Sequence, residues 1–154
     1  MADALNPGCG GRNTFTSHTM RLLMPSPTLD DFIQVAELRA ALRHFLRENE
    51  RIAARFGLTP QRYLLLLMIK GALDGSERST VTELSRRMQL AQHTVTELVA
   101  RTVRAGLIQR TVSTEDRRVV HLKLTANGER KLADSFRDLE AERRALIAAA
   151  RVRL

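Results

Sequence analysis

Ser79 to Gly128 reads STVTELSRRMQLAQHTVTELVARTVRAGLIQRTVSTEDRRVVHLKLTANG. The period of its apolar residues changes midway, and that change decides the fold. Leu84 and Met88, then Val95, Leu98, Val99, Thr102 and Val103, recur at helical spacing. They predict two short helices, Thr82–Met88 and His93–Ala105, separated by the polar break Gln89-Leu90-Ala91-Gln92. Gly106 fits the stop of the second helix, where a left-handed residue costs little only for Gly or Asn. Beyond it, Leu107, Ile108 and Val112 on one side and Val119, Val120, Leu122 and Leu124 on the other flank the polar run Ser113 to Arg118. That is the pattern of a β-hairpin with a polar tip. Thr80–Val81 is expected to add a short edge strand.

The chain on either side reads as helical scaffold. Thr28 followed by Asp30 and Asp31 is a helix-start signal. Phe32, Val35, Leu38, Leu42, Phe45, Ile52 and Phe56 then mark one apolar stripe, closed by Gly57. Thr59-Pro60 restarts the chain, since Pro is tolerated in the first helical turn, and Gln61 to Leu73 predicts a mostly apolar, buried helix. Asp74-Gly75-Ser76 closes it as a turn. After Thr125-Ala126-Asn127-Gly128 a last helix is expected to run nearly to the end, striped by Leu132, Phe136, Leu139, Arg143, Ile147 and Ala150. Both outer helices carry more apolar surface than a local core needs, which suits a two-fold interface. Met1 to Thr28 mixes Gly, Pro, Asn, Ser and Thr without a period, so it is expected to be a disordered tail.

Composition limits the function classes. The 154 residues suffice for one domain with a real core, and 44% hydrophobic with 27% charged residues is ordinary for a globular chain. No apolar run approaches the roughly 18 residues of a membrane span. Met1 to Pro27 lacks a signal-peptide core, and the lone Cys9 excludes an intrachain disulfide, so a cytoplasmic, nucleoid-associated location is expected. The net charge of +8 points to a polyanionic partner. Residues 79–125 hold eight basic against four acidic residues, whereas 29–57 are balanced at five of each. Enzyme motifs are missing: the chain has no Gly-rich phosphate loop, H-E-x-x-H or G-x-S-x-G. His18, His44, His93 and His121 lack partners at metal-ligand spacing, so neither metal nor other cofactor is expected.

Taken together, these features resemble the MarR family of winged helix–turn–helix regulators over residues 29 to 150. The strongest part is Asp116-Arg117-Arg118-Val119-Val120-His121-Leu122-Lys123-Leu124-Thr125 with Gly128, which follows the family's wing pattern D-x-R…L-T-x-x-G. The second is Thr94-Val95-Thr96…Leu98-Val99…Arg101 closing on Gly106-Leu107-Ile108-Gln109-Arg110. Two positions depart from the family's habit: Glu97 stands where a basic or neutral polar residue is common, and Thr102 where a core Leu is usual. The resemblance implies a mainly α fold with a small β-hairpin wing (α+β). Residues 79–128 would be helix–turn–helix plus wing, and 29–57 and 126–154 dimerisation helices, in a single domain of residues 29–154.

It further implies a sequence-specific DNA-binding repressor acting as a homodimer on a pseudo-palindromic operator. Gln92, His93, Thr94, Thr96, Glu97 and Arg101 would face the major groove, where Gln, Thr and Glu have base-edge partners. Thr94 or Gln92 could instead cap the helix, and Glu97 could pair with Arg101. Arg118, with Arg117 as phosphate contact or alternate, would enter the minor groove, and Asp116 would fix the wing. Arg86, Arg87 and Arg104 are candidate phosphate contacts. A small aromatic or phenolic effector would bind where the two regions join, with His44, Arg51, Tyr63 and Met68 as candidate lining. A non-specific DNA-coating protein and a winged-helix adaptor that binds no DNA are the alternatives.

Overall fold

A computed structural model describes residues 26–151; the expected tail disorder and the final three residues lie outside the described residues. Helix α1 spans Leu29–Arg55. Thr28 and Asp31 form its capping box, each side chain accepting from the other's backbone N–H, at 3.2 and 2.7 Å. The helix ends at Gly57, whose φ of +71° reverses the chain. Helix α2, Pro60–Lys70, has Thr59 as its cap and buries Tyr63, Leu65, Leu66 and Ile69. It is the central core helix, as its apolar run predicted, but it stops three residues before Leu73.

Strand β1 is Arg78–Ser79 and helix α3 is Val81–Met88. The strand thus lies two residues before the expected Thr80–Val81. Thr80 is occupied otherwise: it accepts from Glu83 N–H while its own N–H donates to the Glu83 carboxylate at 2.8 Å, starting α3 one residue early. Gln89, with φ of +54°, makes the turn into α4, Gln92–Arg104. Strands β2, Ile108–Val112, and β3, Val120–Leu124, form the hairpin, and the antiparallel sheet runs β1-β3-β2. Its register pairs Ile108 with Leu124, Arg110 with Leu122 and Ser79 with Leu122. Ile108, Leu122 and Leu124 therefore pack inward with Leu84, Val95, Leu98 and Val99 from the two short helices.

The last helix is not continuous. Helix α5 spans Ala126–Asp138 and α6 spans Glu140–Ala150, with Leu139 between them at φ −89°, ψ 7°. Leu139 is fully buried and its N–H still bonds Ser135. The break lets α5 follow α2 into the core while α6 turns along α1. No helix among the described residues is long and apolar enough to cross a membrane.

The wing signature has a physical basis at Gly128. A Cβ there would lie 2.1 Å from the Leu107 carbonyl oxygen. Thr125, the cap of α5, donates from its N–H to Leu107 O at 3.0 Å and from its hydroxyl to Gly106 O at 2.7 Å. The L-T-x-x-G run thus docks the first turn of α5 on the exit of α4.

Candidate nucleic-acid interface

Helix α4 separates two faces. Val95, Leu98, Val99 and Thr102 are buried, and Gln92, His93, Thr96, Glu97, Arg101 and Arg104 are exposed, with Thr94 half-buried. Thr102, unusual for a core position, donates its hydroxyl to Leu98 O at 2.7 Å, so its burial leaves no unpaired donor. Thr96 likewise donates to Gln92 O at 2.8 Å, which fixes its rotamer and turns its methyl group away from that bond. Gln92 is the first helical residue, and Ala91 before it provides no side-chain cap. The alternative of a Gln92 or Thr94 cap is therefore not realised, and the first N–H groups of α4 have no side-chain cap. Glu97 and Arg101 form no ion pair among the described residues. Arg101 instead lines a hollow with Leu98, Thr59, Gln61 and Arg62, beside the first turn of α2. Arg62 was missed in the sequence because an isolated cation in an apolar helix carries no motif.

The two arginines of α3 have different surroundings. Arg86 is exposed. Arg87, expected at phosphate, is half-buried and donates to Met68 O at 2.6 Å and Gly71 O at 2.9 Å. It thereby closes carbonyls at the end of α2, where a cation also suits the helix dipole. This assigns Arg87 to orienting α3 and corrects its expected role. Only the spatial approach of α3 to the end of α2 shows it.

At the hairpin tip, Ser113 N–H bonds Val119 O at 2.9 Å, and the Ser113 hydroxyl accepts from the N–H groups of Glu115 and Asp116. Asp116 accepts from Arg118 three times: backbone N–H at 2.9 Å, Nε at 3.2 Å and Nη2 at 3.2 Å. These bonds, the Arg118 side chain foremost, hold the Asp116 carboxyl below the usual carboxylate range. The Arg118 side chain remains 90% exposed, so it is aimed without being hidden. Arg117 is exposed beside it.

The four candidate effector residues do not surround a common hollow. His44 is exposed on α1, Arg51 is exposed and paired with Glu48 at 2.7 Å, Tyr63 is in the core, and Met68 packs against that core. Burial pushes the Tyr63 hydroxyl pKa up. An apolar hollow of about 380 Å³ instead lies between α2 and α5, lined by Leu67, Leu132, Ala133 and Phe136 with Lys70 and Glu129 at its rim. Helical periodicity marks both contributing stripes but not the gap between them.

Comparison with known proteins agrees with this architecture. The family model described as the MarR family matches residues 56–119, which cover α2 through the hairpin tip. The uncharacterised HTH-type transcriptional regulator YsmB of Bacillus subtilis (strain 168) is 32% identical over 100 residues, 62% of this chain and 66% of that protein. The HTH-type transcriptional repressor MdtR of the same organism is 36% identical over 92 residues, 60% of this chain and 54% of that one. The chain thus spans less than two thirds of these relatives' lengths. The crystal structure of AbsC, a MarR family transcriptional regulator from Streptomyces coelicolor, shares the fold with a TM-score of 0.62 at 20% identity, over 81% of this chain and 84% of that one. Over the helix–turn–helix and the hairpin tip, residues 56–119, the chain is thus similar to MarR-family regulators.

Proposed function

We propose that the protein is a transcriptional regulator, a repressor in the manner its relatives' names describe, that binds double-stranded DNA as a homodimer. The observation that carries this reading is the pairing of two surfaces on one rigid unit. The exposed edge of α4 offers Gln92, His93, Thr94, Thr96 and Glu97 as hydrogen-bonding groups, and the hairpin presents Arg118 on a fixed Asp116 support. A helix of this kind fits the major groove, and an Arg at a wing tip fits the minor groove, where narrow A·T stretches concentrate negative potential. Arg86, Arg104 and Arg117 remain exposed for phosphate, and the Arg62–Arg101 pair joins them.

The homodimer is supported by α1. Leu29, Phe32, Ile33, Leu42 and Leu46 are 43–76% exposed there, and Ile147 of α6 is 50% exposed. Such a row of large apolar side chains marks an interaction surface. A small aromatic effector is better accommodated by the hollow between α2 and α5 than by the four residues expected from sequence, because its walls are apolar and Lys70 can meet a carboxylate. Its place in the cell would be the cytoplasm, on the nucleoid.

Titration with the protein's own promoter and with random duplex at two salt concentrations tests this function. A steep salt slope with a large promoter preference supports it. Equal affinity for both duplexes supports a coating protein, and no binding supports an adaptor.

A further inference from the structure

The outer face of the sheet carries a second feature. Strand alternation turns Ser79, Leu122 and Leu124 inward and leaves Arg78, Gln109, Thr111, His121 and Lys123 on the opposite face. A hollow of about 430 Å³ lies there, lined by Arg78, Lys123, His121 and the hydroxyl residues Thr111, Ser113 and Thr114, with no carboxylate in its wall.

Three observations make this an unusual surface for a hairpin. Arg78 is the direct cross-strand partner of Lys123, and like charges so placed repel. Neither forms an ion pair among the described residues. The nearby acids make their hydrogen bonds elsewhere, Glu77 with Lys70 at 2.7 Å and Asp74 with the Ser76 N–H at 3.0 Å, and act on Lys123 and Arg78 only through space. Lastly, His121 Nδ1 is buried without a hydrogen-bond partner, although most buried polar atoms find one.

We infer that this hollow is an oxyanion site that takes a phosphate group. Arg78 and Lys123 supply the charge, with the Arg fork suited to two phosphate oxygens. Thr111 and Thr114 hydroxyls donate to the remaining oxygens. An anion between the cations would also offset their cross-strand repulsion. The phosphate has two possible sources: a free phosphate-bearing small molecule, or the backbone of DNA lying alongside the wing. The second source rests on the proposed function; the site itself does not. Because β3 joins this face to the Asp116–Arg118 tip, an occupant would also bear on wing orientation.

The test is a ¹H–¹⁵N NMR titration of the full chain with inorganic phosphate, against chloride at matched ionic strength, repeated on Arg78→Gln and Lys123→Gln. Salt-dependent DNA binding is measured on the same proteins. Saturable shifts at Arg78, Thr111, His121 and Lys123 that vanish in both variants establish a site for free phosphate. A silent phosphate titration with a salt slope reduced by about 1 in each variant establishes a DNA-backbone contact. No saturable shift together with unchanged slopes overturns the site, as do shifts that persist in both variants. If the wild-type protein binds no DNA, the proposed function fails, and the phosphate titration alone decides the site.

Discussion

Gly128→Ala is the sharpest perturbation the structure offers, because one added carbon meets backbone. The new Cβ would stand 2.1 Å from Leu107 O and 3.0 Å from Leu107 C. Ordinary contact needs about 3.5 Å, so the first turn of α5 and the α4–β2 connection must part by about 1.4 Å. A flexible side chain could move aside, but a carbonyl held within the chain cannot. Overpacking of this kind costs about 1–3 kcal/mol. The displacement also loosens Thr125 N–H to Leu107 O and Thr125 Oγ to Gly106 O, each worth about 1 kcal/mol. A total of about 2–4 kcal/mol translates to a fall in Tm of roughly 5–15 °C for a chain of this size. Gly106→Ala is the control: its φ of +66° imposes backbone strain, yet its Cβ meets nothing within 4 Å. That strain costs about 1–2 kcal/mol, so Gly106→Ala should melt above Gly128→Ala. Circular-dichroism melts at a single protein concentration, which holds any dimer linkage constant, measure both. A Gly128→Ala protein melting within 1 °C of wild type would refute the argument that this glycine exists for close approach.

Other expectations follow from the same contacts. Arg87→Ala should lower stability by about 1–3 kcal/mol by exposing the end of α2, yet leave the salt slope of DNA binding unchanged, whereas Arg86→Ala should reduce that slope by about 1 at unchanged stability; urea melts and salt-dependent titrations separate the two. Arg118→Ala should weaken promoter binding at least tenfold with the sedimentation coefficient unchanged, and unaltered affinity would remove the wing-insertion proposal. Phe32→Asp with Leu46→Asp should yield a monomer in analytical ultracentrifugation, because both side chains lie on the exposed apolar row of α1. The Asp116 carboxyl, lowered chiefly by its side-chain bond from Arg118, should hold the wing at neutral pH and above. Since the folded value lies below the ordinary 3.8, that contribution is complete above 3.8 and lost only as pH falls through the folded value; carboxyl-carbon NMR shifts of Asp116 between pH 2 and 6 check the window.

Much of the fold was legible because it rests on local rules. The stripe Val95, Leu98, Val99, Thr102 faces one side of any helix, and Thr59-Pro60 opens a helix wherever it falls. The alternation from Val120 to Leu124 has one inward face in the observed register. What stayed illegible depends on approach between distant residues. Leu139 interrupts the last helix although Arg137 to Leu146 shows no breaker, and its side chain is fully buried in the core. Arg87 looks in the sequence like its neighbour Arg86. Its capping of Met68 and Gly71 is visible only once α3 lies against α2. The effector candidates failed for a related reason: His44, Arg51, Tyr63 and Met68 share a region of the chain but point to surface, ion pair and core.

Those distant contacts converge on the ends of α1 and α2, and they tie the outer helices to the helix–turn–helix. Arg87 of α3 closes the carbonyls at the end of α2. Lys70, the last residue of α2, bonds Glu77 before β1 at 2.7 Å and Glu129 of α5 at 3.0 Å. Both carboxylates raise the Lys70 ammonium above its ordinary pKa, with Glu77 the larger influence. Lys131 of α5 reaches the end of α1 and donates to Phe56 O at 2.6 Å. The two Lys70 ion pairs have their heads near solvent and are worth little individually, but with Lys131 they leave α5 bonded to the ends of both α1 and α2. The apolar hollow between α2 and α5 is rimmed by Lys70 and Glu129, one of these same pairs. A carboxylate entering that hollow would compete with Glu129 for Lys70 and so loosen α5 from the end of α2.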